Sequence, residues 1–367
     1  MTVFPTLFPI LLIGLIAWML PALVPRSVPF GVRIPGARAQ EPVIARQRRR
    51  YRYGIAALTL AVSAVVLATG DRSPLAGLGV AAELAGGFAL FQAGRRQITA
   101  AKHREHWFGG LRQVVVTDTS LRTHPEPFPW GWAVPSIALT VATVVVGILR
   151  YPHLPTRLAV HFGAAGQADR YAPVSPASVF GPVVAQVVGT ALLVGLAALV
   201  LRSKAQLDAE EPQTAGTRHR RFISAGARAL LVGAACLSVA FLLTSLTAWN
   251  IVNLARPARG LVAIVPLLGV VVFVAVLVRV GQSGSRLRIR ANPGSGSVRR
   301  TSVVNRDDDR YWRVGLFYFN PDDPSLLVPH RFGLGWTLNL ARPAAWAIVA
   351  AMIGLPAGGP LIAALIR

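Results

Sequence analysis

The chain has 367 residues, of which 53% are hydrophobic and only 14% charged, with a mean hydropathy of +0.51. Its 38 Lys and Arg against 15 Asp and Glu leave a net charge of +23. This composition excludes collagen, disulfide scaffolds and disordered tails, and the lone Cys236 excludes an intrachain disulfide. A chain this apolar has the lipid bilayer for part of its solvent.

Eight runs are long enough to cross a hydrocarbon core of ~30 Å as helices. They cover 1–25, 53–70, 73–94, 131–149, 177–201, 229–255, 260–278 and 343–366, and Glu83 is the single charge within them. Pro135, Pro182, Pro266 and Pro356 inside these runs are tolerated in membrane helices, where neighbouring helices satisfy the freed backbone groups. The first run lacks the basic start of a signal peptide, and Ala37-Arg38-Ala39, which resembles a cleavage site, lies far beyond it. An uncleaved helix is therefore expected.

Of the 38 Lys and Arg, 31 lie in 26–52, 95–122, 202–228 and 279–342. The positive-inside rule places these four connections in the cytoplasm, hence both termini outside the cell membrane. The expected fold is an all-α polytopic membrane protein of about eight transmembrane helices with a small cytoplasmic aromatic β-hairpin. Four regions follow: 1–128 with three helices and basic loops, 129–279 with four helices and an outside loop at 150–176, a cytoplasmic linker and hairpin at 280–342, and a final helix at 343–367. Anionic lipids at the cytoplasmic face are the partner such arginine-rich helix ends imply. The arginines sit at span ends rather than on one folded face, so direct nucleic-acid binding is not expected.

In the first cytoplasmic loop, Gly31 and Pro35 frame a turn in Phe30-Gly31-Val32-Arg33-Ile34-Pro35, with Arg33 the candidate for a specific contact. The basic stretch up to Arg52 reads as an interfacial helix leading into the second span. In the next cytoplasmic loop, His103 and His106 fall on one helix face but lack the His-Glu-x-x-His pattern of a zinc site. Residues 113–117 are β-branched enough for a short strand. Glu83, an acid inside the third span, is a functional candidate by the cost of placing it there.

The outside loop at 150–176 contains His153, Pro155, His161, Phe162, Gly166 and Asp169 between prolines and glycines that imply a structured turn. Two His and an Asp could hold a metal or relay protons, or simply satisfy backbone groups. In the last polar region, 310–319 is aromatic enough for a strand, Asn320-Pro321-Asp322-Asp323-Pro324 is a turn signal, and 325–329 can return as a second strand. Asp307, Asp308, Asp309, Asp322 and Asp323 could hold a divalent cation, although turn-forming and solvated aspartates explain the same residues. No metal or cofactor is assigned.

The pattern Tyr151-Pro152-x-Leu154-Pro155-x-x-Leu158-x-x-His161-Phe162-x-x-x-Gly166-x-x-Asp169 resembles the extracytoplasmic loop of the SdpI-type bacterial integral membrane proteins. Ala159 stands where that family usually has proline. Phe30 to Pro35 looks like a second family element, a Gly-x-Arg-x-Pro turn. The 312–336 stretch, with Trp312, Asp322, Asp323 and Arg331-Phe332-Gly333-Leu334-Gly335-Trp336, is similar to an uncharacterised cytoplasmic module found with that loop. The resemblance implies immunity to a secreted peptide toxin, coupled in some members to signalling through a soluble transcriptional regulator held at the membrane.

The expected role is therefore non-enzymatic: toxin immunity or reception, with the outside loop meeting a ligand and 301–342 meeting a cytoplasmic partner. Its contact residues there would be Arg33, Trp312, Asp322, Asp323, Arg331 and Trp336. The alternative is a proton-coupled transporter or channel using Glu83 with Gln186, Thr190 and Asn250. An intramembrane hydrolase is not expected, since the chain has no Gly-x-Ser-x-Gly, no His-Glu-x-x-His and no paired aspartates within spans.

Overall fold

The computed structural model describes residues 4–69, 73–162, 167–210, 212–254, 262, 264–289, 303–333 and 335–352. It is mostly helical. In chain order the long helices are α1 (Phe4–Leu23), α2 (Pro42–Thr69), α3 (Ser73–Arg104), α4 (Trp130–Arg150), α5 (Pro176–Leu201), α6 (Pro212–Ala248) and α7 (Val265–Val280). A shorter apolar helix, α8, spans Pro343–Met352. The remainder of the last apolar run, 353–366, lies outside the described residues, as does the linker at 290–302.

Among the described residues, five helices are long and apolar enough to cross a bilayer: α2, α4 extended to His153, α5, α6 from Thr214, and α7 extended to Gly284. Within α1, the segment Leu7–Leu23 is apolar but shorter, and α3, interrupted by Glu83 and Gln92, is not among the five. Valines and leucines that a water-soluble fold would hide, such as Leu60, Val141 and Leu268, are more than half exposed on these helices. An apolar outer surface of this kind needs lipid around it. The chain is membrane-embedded.

The helices form two sets. α1, α2 and α3 pack on one another, α4, α5, α6 and α7 pack on one another, and among the described residues no helix of one set packs extensively on the other. Small residues permit the close approaches: a Cβ on Gly269 of α7 would press on the Gly233 backbone of α6 at 2.9 Å. The basic stretch before Arg52 is the opening of α2 itself, continuous through the membrane segment, rather than a separate interfacial helix. Helix α3 ends at Arg104 and His106 has a positive φ of 47°, so His103 and His106 do not share a helix face.

Among the described residues there are also four two-stranded ladders. β1 (Arg112–Val114) runs parallel to β4 (Val303–Asn305), joining loops nearly two hundred residues apart. β2 (Arg157–Phe162) and β3 (Ala168–Pro173) form the antiparallel hairpin of the 150–176 loop. In the polar region the expected strand over 310–319 does not run through. It breaks at Val314 and Gly315, whose φ of 46° and 77° turn the chain back, so β5 (Trp312–Arg313) pairs with β6 (Phe317–Tyr318). The expected second strand, β7 (Leu327–Pro329), pairs instead with β8 (Trp336–Leu338). Periodicity showed the β character, whereas the left-handed pair at Val314 and Gly315 set which strand met which.

Candidate functional site

The four basic connections converge at one end of the helices, and residues 303–342 lie across both helix sets. The turn after α1 is the first anchor. Phe30 and Gly31 both take left-handed φ, 49° and 70°, a conformation costly for phenylalanine. What holds it is the ring's burial: Phe30 stacks on Phe332 at 5.3 Å between centroids, and Phe332 stacks on Phe91 of α3 at 4.4 Å. Tyr51 of α2 meets Phe30 and Phe332 edge-on. Gly94 of α3 makes room, because a Cβ there would come within 2.8 Å of the Phe30 ring.

Beside this aromatic cluster lies a closed set of charges. The fully buried guanidinium of Arg331 donates to Asp308 and Asp309, and to the Gly31 carbonyl at 3.3 Å. It also lies 4.8 Å over the Trp312 ring. Arg33 reaches the same acids, Nε to Asp308 at 3.3 Å and its backbone N–H to Asp309 at 2.9 Å. Lys102, at the end of α3, bridges Asp307 and Asp309 at 2.6 and 2.7 Å. Burial pushes the Asp308 carboxyl up, but Arg33 and Arg331 overrule it and hold it at about 2. Asp309 is held low in the same way by Arg331 and Lys102 against its own burial. Three aspartates thus meet Arg33, Lys102 and Arg331, which already neutralise the acids that could have taken a divalent cation.

The second helix set grips the module differently. Trp336 packs on Phe222 of α6 at 4.6 Å and donates its indole N–H to Ser203 at 3.0 Å. A Cβ on Gly226 would overlap the Trp336 ring. Lys204 pairs with Asp323 at 2.7 Å; burial pushes that carboxyl up, and Lys204, the Ser325 N–H and the Tyr318 hydroxyl bring it below the usual carboxylate range. Gln282, directly after α7 and fully buried, donates to the His330 and Gly335 carbonyls at 2.8 and 2.7 Å and accepts from the Gly335 N–H at 2.9 Å. Within the module, buried Asn339 donates to the Asn320 and Asp323 carbonyls at 2.9 and 3.0 Å, and its Oδ1 accepts from the Asn320 N–H. Burial keeps His330 neutral, lowering it to about 4.

Of the residues marked from sequence as cytoplasmic contacts, Arg33, Trp312, Asp323 and Arg331 are therefore buried against their own chain, Trp336 is half-buried, and only Asp322 is exposed. Sequence reading missed Lys102, Gln282 and Asn339. A lone amide or lysine at a helix end carries no signal when its partners lie tens to hundreds of residues away.

At the opposite end, the β2–β3 hairpin stands on α5 and α6 through Leu158, buried among Val179, Val183 and Trp249. The start of α5 is fixed by Ser175, whose hydroxyl accepts from the Ser178 N–H in a capping box. His161 Nδ1 and Asp169 Oδ1 pair at 2.6 Å across the hairpin, both half-exposed. His153 and Pro155 are exposed on the approach to β2. Gly166 lies outside the described residues, and of Phe162 only its backbone place in β2 is described. Among the described residues no group of three or more His, Cys, Asp or Glu side chains is placed to hold a metal ion.

Inside the helices, Glu83 is 2% exposed and accepts from the Thr59 hydroxyl of α2 at 2.6 Å. Its other oxygen has no hydrogen-bond partner among the described residues. Gln186 and Thr190 belong to a separate cluster with Thr140 and Ser238, in the second helix set. Gln186 and Thr190, grouped from sequence with Glu83, thus lie in the other helix set, and Asn250 follows α6 of that same set.

Residues 138–185 match the model of a domain of unknown function (DUF1648), and residues 321–346 match a family of unknown function (DUF5808). The first match runs from Ala138 within α4 through the hairpin to the start of α5, and the second covers β7 and β8 with Asp323, Arg331 and Asn339. No curated protein and no solved structure matches the chain. The chain is a helical membrane protein with one region similar to DUF1648 and another similar to DUF5808.

Proposed function

We propose that this is a non-enzymatic bacterial membrane protein of the SdpI type, crossing the membrane eight times with both termini outside. In this reading it confers immunity to a secreted peptide toxin or receives such a peptide as a signal. The observation that carries it is the layout of the second helix set. α5 and α6 bear the exposed His161–Asp169 hairpin at one end, while α6 and the loop after α5 hold Trp336 and Asp323 of the polar module at the other. In this reading, ligand contact at the hairpin biases the grip on the module, releasing surfaces such as Trp312 and Arg331 to a soluble regulator. Undocking is required because those residues are buried in the docked state.

Cells carrying the full chain should survive a secreted antibacterial peptide that kills cells lacking it. The His161→Ala/Asp169→Ala variant, present at equal level, should lose that protection, and a tagged chain should co-purify a soluble regulator in a hairpin-dependent amount. Equal protection and equal capture by both chains would remove the hairpin from the mechanism.

A second reading, proton-coupled transport, is favoured by the unpartnered oxygen of Glu83 deep between α2 and α3. An intramembrane carboxyl is costly to keep without use. An ion flux unchanged by Glu83→Gln would oppose it.

A further inference from the structure

The arginines that open α2 are not equivalent: of Arg46, Arg48, Arg49 and Arg50, Arg50 lines a cleft. A cleft of about 330 Å³ lies between α2 and α3, close to the aromatic cluster. Gln47, Arg50 and Tyr51 line it from α2, and Leu90, Arg96 and Gln97 from α3. Arg50 and Arg96 are exposed, and neither forms an ion pair among the described residues. Two guanidiniums cannot shed their charge by deprotonating, so their shared cleft is a standing site of positive potential.

A second feature is independent of charge. Gln47, only 6% exposed, is among the residues that line the cleft, and its amide adds a hydrogen-bond donor to the two guanidiniums. The apolar side of the cleft is Leu90, and further along the same helix Leu84 and Phe88 are 57% and 44% exposed, facing lipid. Tyr53, 75% exposed just beyond Arg50, sits where an aromatic ring marks the membrane–water boundary. The cleft therefore offers two cationic forks and an amide at headgroup level, with an apolar track leading into the bilayer.

We propose that the α2–α3 cleft binds a phosphate-bearing anion between Arg50 and Arg96, with Gln47 donating to a phosphate oxygen. Planar guanidiniums match phosphate oxygens in paired hydrogen bonds. An anionic phospholipid and free phosphate share this chemistry, and the apolar track favours the lipid. The assignment rests on α2 and α3 lying in the membrane but is independent of the role of the outside hairpin.

The test uses the purified full chain and counts phosphatidylglycerol retained in native mass spectrometry, with phosphatidylcholine as reference and inorganic phosphate as competitor. Arg50→Gln/Arg96→Gln should weaken phosphatidylglycerol retention about tenfold more than Arg46→Gln/Arg49→Gln, which removes the same charge from the same basic end of the helix set. Equal loss in both pairs would reduce the effect to bulk charge and overturn the site, as would no preference for phosphatidylglycerol in the native chain. Displacement by millimolar phosphate would keep the phosphate site but overturn the lipid as its source. Amide-exchange protection of β7 and β8 reports folding in each variant. If the double variant loses it, the single Arg96→Gln substitution carries the same comparison against Arg49→Gln.

Discussion

Replacing Arg331 by methionine isolates the buried charge cluster that holds the module to the first helix set. Methionine keeps much of the volume, so the loss is electrostatic. Asp308 would keep only the 3.3 Å contact from Arg33, while Asp309 would keep the Arg33 N–H and Lys102. The Gly31 carbonyl would still accept from Arg95 at 3.0 Å. Removing one partner of a buried ion pair costs ~3–5 kcal/mol, and the surviving contacts place this case near the lower end. About 3 kcal/mol corresponds to a loss of amide-exchange protection on the order of 100-fold in β7 and β8. Exchange of the full chain in nanodiscs measures it directly.

The same cluster predicts a pH dependence. Asp308 titrates at about 2 in the folded protein against an ordinary value of 3.8, so it contributes ~2 kcal/mol. Because the folded value is depressed, that contribution is complete above about pH 4 and fades as pH falls toward 2. Asp308→Asn should flatten this part of the profile, and the Arg331→Met and Asp308→Asn effects should be strongly non-additive. A protection change below about threefold for Arg331→Met, with additive double-variant behaviour, would refute the reasoning.

Other regions give separate expectations. Gly226→Val should expel the Trp336 ring from its seat on α6 and redshift tryptophan emission, whereas Gly181→Val, where no atom lies near a Cβ, should leave the emission unchanged. Gln282→Ala strands the Gly335 N–H and two carbonyls, and should destabilise the β7–β8 turn by ~1–3 kcal/mol in amide exchange. Leu158→Ala, at the foot of the outside hairpin, should cost ~2–5 kcal/mol and make β2 and β3 protease-sensitive while leaving β7 and β8 protected. Glu83→Gln keeps an oxygen for the Thr59 hydroxyl, so thermal stability should hold while labelling by an apolar carbodiimide is lost.

The polar residues explain why part of this molecule could be read in advance. His161 and Asp169 stand eight residues apart, so turn signals and spacing put both in one structured loop, and the β2–β3 register then paired them. Glu83 announced itself because a charge in an apolar run contradicts its surroundings. Arg33 and Arg331, by contrast, are separated by nearly three hundred residues, and nothing local in either distinguishes a buried clamp from a solvated surface arginine.

Hydrophobic run length and arginine asymmetry, both one-dimensional quantities tied to bilayer thickness and loop charge, determined the membrane character and the grouping of the loops. Turn chemistry marked 150–176 as a structured loop, and the structure made it the β2–β3 hairpin. Only the tertiary structure decided that the turn at Phe30–Pro35, the aspartates at 307–309 and Arg331-Phe332 form one closed cluster that fixes the polar module to the first helix set. The reason is energetic: charge neutralisation and aromatic stacking depend on distance in space, and chain order does not encode which distant loops come within a few ångströms of each other.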